Sequence, residues 1–200
     1  MRLLSVALVL FAVGGLFGCS DSEESSSVYG TLTLSNSTSL DNLSSIDLKN
    51  KVSCRRDANF GYLAMDLKNS VGNARLVVQI KGFESSAREY ICKQATDNVT
   101  KGTVGGKFDV CSVYAEVPTP DDSTVSNGYS MFRDESIKSL DNVFTYAGDC
   151  KVTIVQVTPT AKGSVSCTKM VQTKYGGSTR NPIIVTETAD VTASFDCALE

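Results

Sequence analysis

From position 183 to position 199, every second residue of this chain follows an apolar series. The odd positions read Ile183, Val185, Glu187, Ala189, Val191, Ala193, Phe195, Cys197 and Leu199, while the even ones are mostly Thr, Asp and Ser. A period of two sends one set of side chains into a core and the other into water, so the segment predicts a long β-strand. The same alternation runs through 61–67, with Leu63, Met65 and Leu67 on one face, and through 75–83, with Leu76, Val78 and Ile80. The turn-forming run at 69–73 between them predicts a hairpin. A second hairpin is expected between 88–93 and 107–117, around the glycines Gly102, Gly105 and Gly106. A third joins 151–158 to 164–172 across a turn at 159–163. Leu40, Leu43 and Ile46 stand three apart and predict a short helical turn within 35–50. About eight strands with alternating faces make the fold class all-β, a disulfide-bonded antiparallel β-sandwich with an open β-barrel as the alternative.

The first residues follow another rule. Met1 and Arg2 precede a largely apolar run from Leu3 to Phe17, which is shorter than the roughly 20 residues that span a bilayer. This is the pattern of a cleaved secretory signal peptide over 1–18. The run ends in Leu16-Phe17-Gly18-Cys19, which resembles the lipobox of bacterial membrane lipoproteins. The resemblance implies that the Cys19 thiol receives a diacylglyceryl group, that cleavage leaves Cys19 first, and that its amino group is acylated. Two or three acyl chains anchor stably where one holds only marginally. Ser20 directly after the cysteine resembles the sorting signal for the outer membrane. Residues 19–28 are polar, acidic and serine-rich. They bury too little apolar surface to order themselves, so they read as a flexible tether to a single β-domain over 29–200.

Six cysteines follow Cys19: Cys54, Cys92, Cys111, Cys150, Cys167 and Cys197. An even number in an exported chain implies three disulfides, which three being open from sequence. Cys167 and Cys197 both fall on apolar strand faces and are the expected pair. Cys92 and Cys111 stand symmetrically about Lys101-Gly102, which leaves Cys54 for Cys150.

Chemistry is sparse. The chain contains no histidine, which removes Ser-His-Asp and Cys-His catalysis and Cys/His zinc sites. Without residues 1–18, 18 Lys and Arg stand against 22 Asp and Glu, a net charge of about −4 with no basic cluster for nucleic acid. Ser166-Cys167-Thr168-Lys169 matches S-x-x-K, but that motif needs a helix, and residues three apart in a regular strand face opposite ways. Gly102 to Lys107 is one residue short of a phosphate-binding loop, with Phe108 where Ser or Thr should stand. Asp121, Asp122, Asp134 and Glu135 lack calcium-loop spacing. The sequence therefore predicts no enzyme, no metal and no small-molecule cofactor. It reads as an extracytoplasmic interaction module, lipid-anchored to the outer membrane, that contacts an envelope protein or glycan. Tyr129 and Tyr175, beside the loops 118–128 and 174–182, are the candidate binding residues. A purely structural lipoprotein and a histidine-free carboxylate glycan hydrolase are the alternatives.

Overall fold

The computed structural model describes residues 28–38, 42–94, 108–131, 148–175 and 182–200, and no helix occurs among them. The strands are β1 (Gly30–Ser35), β2 (Leu43–Leu48), β3 (Asn50–Asp57), β4 (Tyr62–Lys68), β5 (Arg75–Lys81), β6 (Arg88–Ile91), β7 (Lys93–Gln94), β8 (Phe108–Asp109), β9 (Cys111–Pro118), β10 (Ser126–Ser130), β11 (Cys150–Gln156), β12 (Ala161–Tyr175) and β13 (Pro182–Cys197). Eleven of them build one antiparallel sheet in the order β2-β1-β13-β12-β10-β9-β5-β4-β3, with β11 and β6 branching from β12. β7 and β8 form a separate ribbon.

The branch explains the shape. β13 runs along one side of β12, while the other side is shared: Lys162–Cys167 pairs with β11, and Val171–Thr173 pairs with β10. The change of partner falls at a β-bulge between Cys167 and Met170, where Lys169 adopts φ 51°. Bulges bend the strand that carries them, and a bent strand can pass from one layer to another. At the far edges, β2 and β3 are separated only by Lys49, so one stretch of chain supplies both ends of the sheet order. The β3 edge is also met by Glu200, whose N–H donates to the Cys54 carbonyl (2.9 Å) and whose carbonyl accepts from the Arg56 N–H (3.1 Å). The result is an all-β, nearly closed antiparallel sheet, which both the sandwich and the open-barrel descriptions fit.

The apolar series line the interior. Ala189, Val191, Ala193, Phe195 and Cys197 of β13 are buried with Leu63, Met65 and Leu67 of β4, Leu76, Val78 and Ile80 of β5, and Leu32 and Leu34 of β1. Burying one such Leu or Ile contributes roughly 1.5–3 kcal/mol. Gly163 sits opposite Ile154 on one side and Phe195 on the other. A Cβ there would strike the Thr153 carbonyl and the Phe195 ring, so only glycine lets that ring lie across the strand.

The 61–67/75–83 and 151–158/164–172 hairpins form as β4–β5 and β11–β12. Two of the expected elements are corrected. No helical turn forms around Leu43 and Ile46, which belong to β2; a register shift places Ile46 opposite Leu32 and Leu43 opposite Leu34, so residues three apart share a face. Leu40 lies outside the described residues. The 88–93 and 107–117 segments do not pair along their length. β6 joins β11, and β9 joins β5 and β10, because Val110 at φ 46° turns the chain onto β5, where its carbonyl accepts from the Lys81 N–H (2.7 Å). Among the described residues only Lys93–Gln94 pairs with Phe108–Asp109 in this way.

The disulfides are Cys54–Cys197, Cys92–Cys111 and Cys150–Cys167. The expected Cys167–Cys197 bridge is replaced because Cys167 stands opposite Val191. Six further residues of β13 put Cys197 about 20 Å away, at 3.3 Å per residue, far beyond the reach of a disulfide. Cys167 instead meets Cys150 directly across the β11–β12 pair. Cys54, expected to join Cys150, lies beside the residues that follow β13 and joins Cys197.

Candidate functional site

On the outer face of β4, β5 and β9, Arg75 gathers the charged side chains. Its Nε and Nη2 donate to the two Asp66 carboxylate oxygens (2.8 and 2.6 Å), and Nη1 lies 3.9 Å from Glu116, which accepts a 2.8 Å hydrogen bond from the Tyr114 hydroxyl. The Asp66 hydrogen bonds, together with the nearby negative charges, hold the guanidinium above its ordinary pKa against the opposing effect of burial. Two carboxylates bound to one permanent cation make a structural ion-pair network rather than an acid/base couple.

The 118–128 loop is short and tied to itself. Pro118 pairs with Ser126, the Thr119 N–H donates to Val125 O (3.0 Å), and the Thr119 hydroxyl donates to Asp122 O (2.7 Å). Asp122 Oδ1 accepts from the Thr124 hydroxyl (2.6 Å) and N–H (2.8 Å), and these bonds lower its carboxyl pKa. Asp122 is thus occupied in shaping the turn, beside the exposed Asp121. Asn73 Nδ2 donates to the Ser123 carbonyl and ties this loop to the β4–β5 turn. Asp134 and Glu135 lie outside the described residues.

Of the two candidate tyrosines, Tyr129 is corrected. It sits within β10, paired to Ala115 on one side and Gln172 on the other, and is 0% exposed. The ring is part of the hydrophobic core, and residues 127–130 around it are all buried. Tyr175 pairs with Pro182 at the end of β12. Its side chain, residues 176–181 and the 101–107 loop lie outside the described residues. Ser166 and Lys169 are both exposed, because the Cys167/Met170 bulge breaks the strand alternation on which the opposite-face expectation rested. Among the described residues, no group of three or more Cys, Asp or Glu could hold a metal ion.

Two features were not singled out from sequence. Glu187 occupies an apolar position in the β13 series, and its Oε2 is buried with no hydrogen-bond partner among the described residues. The visible signal was an acid within an otherwise apolar alternation. The second is an aromatic and basic end of the sheet around the β3–β4 turn. Asp57 Oδ1 accepts from the N–H groups of Asn59 (3.0 Å) and Phe60 (3.2 Å), and Gly61 completes the turn at φ 56°. This leaves the Phe60 ring 82% exposed. Beside it Arg56 lies over Phe83 (5.9 Å), Arg88 over Tyr90 (5.6 Å) and Lys81 over Phe108 (4.3 Å), while Phe83 stacks on Tyr90 at 6.4 Å. The cations are scattered along the sequence at 55, 56, 81 and 88, and only the strand register collects them.

No protein-family model matches the chain, and neither a curated protein nor a solved structure matches it significantly.

Proposed function

We propose that this chain is a lipid-anchored cell-envelope lipoprotein whose β-domain is non-enzymatic and works by contact with an envelope protein or glycan. The observation that carries the reading is the cysteine inventory. Of seven cysteines, six pair with one another in three disulfides, and the seventh is Cys19, at the end of the lipobox-like segment. Disulfides on this scale belong to an oxidising compartment outside the cytoplasm, and an odd cysteine beside them calls for chemistry of its own. The acyl chains would hold the protein at the outer membrane, with 19–28 as spacer. With Tyr129 in the core, contact falls to the exposed turns, of which 119–125 is rigidly hydrogen-bonded and suited to recognition.

Mass spectrometry of the membrane-extracted protein tests the anchor: the N-terminal peptide should begin at Cys19 and carry acyl chains. Cys19→Ala should release the protein from the membrane fraction. A Cys19→Ala chain that stays wholly with membranes, or an unmodified Cys19 peptide, refutes the reading.

A further inference from the structure

We infer that the β3–β4 turn is a membrane-contact tip, at which Phe60 enters the interfacial layer of an anionic phospholipid bilayer while Arg55 and Arg56 lie on its headgroups. Single exposed apolar residues are common on protein surfaces and by themselves mean little. Phe60 differs in its surroundings. It projects from a turn stiffened by Asp57, and the neighbouring cations already lie over Phe83, Tyr90 and Phe108. An exposed aromatic residue with Arg and Lys on the neighbouring strands is the composition of surfaces that lie in the headgroup region, where basic side chains are drawn to an anionic leaflet. Glu84 and Arg88 cancel as an ion pair, Glu200 is paired with Lys51 at the β3 edge and feels Arg55 at longer range, and Asp57 is held by the turn N–H groups, so the positive charge of the tip rests on Arg55 and Arg56. The shape also decides the partner. A convex tip needs a matching cavity in a rigid protein, whereas a fluid bilayer opens around a projecting ring.

The course of the chain agrees. It enters the sheet at Tyr29, whose N–H donates to Leu48 O (2.8 Å) and whose carbonyl accepts from Asp196 (2.7 Å). Asp196 adjoins Cys197, which is bridged to Cys54, the residue before Arg55. The tether's attachment point therefore lies close to Cys54, which precedes Phe60 by six residues, and a spacer of ten residues reaches at most about 33 Å. The choice of a bilayer over another anionic surface rests on the lipid-anchor reading.

The chain contains no tryptophan, so Phe60→Trp and Val71→Trp place single fluorescent reporters at opposite ends of β4. Val71 is also highly exposed, and neither substitution disturbs the core. The full chain is bound to phosphatidylglycerol-containing vesicles whose acyl chains carry bromine quenchers. The Phe60→Trp emission should shift to the blue and be quenched several-fold more than that of Val71→Trp, and adding Arg55→Glu with Arg56→Glu should remove most of the difference. Equal quenching at the two positions, or none at position 60, overturns the inference. The anchor is judged separately, by the mass of the N-terminal peptide. Acyl chains without position-60 quenching refute the tip alone, and quenching without acyl chains refutes the anchor alone.

Discussion

Cys54 and Cys197 join strands at nearly opposite ends of the sequence, 143 residues apart, and their bridge fastens the β3 edge to the end of β13. The other two disulfides close spans of only 19 and 17 residues. Loop-closure entropy in the unfolded chain makes the long bridge worth about 5 kcal/mol and each short one about 3. Denaturant unfolding of Cys54→Ala/Cys197→Ala should therefore show a larger loss than Cys92→Ala/Cys111→Ala or Cys150→Ala/Cys167→Ala. An equal or smaller loss contradicts this ordering.

Gly163→Ala and Gly30→Ala should each destabilise the fold by about 1–3 kcal/mol, the usual cost of overpacking. At Gly163 the added methyl meets the Thr153 carbonyl and the Phe195 ring, and at Gly30 it meets the Ser194 carbonyl. Gly72→Ala is the contrast, with open space around its Cβ and only the positive φ of 85° to oppose it. Shortening Phe195 in the Gly163→Ala background should recover part of the loss if the ring is the obstacle, and a thermal-shift comparison of the single and double variants reads it.

Asp196 accepts from Lys162 Nζ (2.8 Å) and from the Thr160 hydroxyl (2.5 Å), and the two bonds hold its carboxyl below the usual range. A carboxylate whose folded pKa is depressed contributes stability that is fully present above its unfolded pKa of about 3.9 and is lost as pH falls through the lower folded value. The melting temperature of Asp196→Asn should accordingly fall less than that of the unaltered protein between about pH 5 and pH 2. Parallel curves would show that this aspartate carries no share of the acid sensitivity.

A double-mutant cycle on Arg75→Ala and Asp66→Ala should give a coupling of about 1 kcal/mol, because the pair is bidentate but partly exposed. Raising the salt to about 1 M, where the screening length is about 3 Å, should shrink it.

Much of this architecture can be read from residue patterns. The alternation in 189–197, in 61–67 and in 75–80 reflects faces that are buried on one side only, and there a period of two survives into the structure. Legibility fails where the backbone departs from regular pleating. The shift between Leu32 and Leu34 made Leu43 and Ile46 look helical, and the bulge after Cys167 turned β12 toward a second partner. Each irregularity changes side-chain facing without changing composition. Disulfide pairing is a matter of register across strands, so Cys150 and Cys167 become neighbours only once β11 and β12 are aligned. Tyr129 was misjudged for a related reason: residues 127–130 of β10 are all buried, so both faces of this strand are covered, and nothing in Ser126–Ser130 announces that. The basic tip was hidden because its cations come from three separate segments.

The pairing of β1 with β13 sets an order of events in time. Leu32 and Leu34 meet Ile46 and Leu43 of β2 early, but the other edge of β1 is filled only when Ala193 and Val191 arrive alongside, about 160 residues later. At synthesis rates of about 5–20 residues per second, that is a wait of roughly 10–30 s. During that interval the β1–β2 pair keeps an open edge, and the sheet cannot close around its core. Such a topology suits a polypeptide that is handed on extended and folds all at once, and it gives chaperones that hold unfolded chains a defined window in which to act.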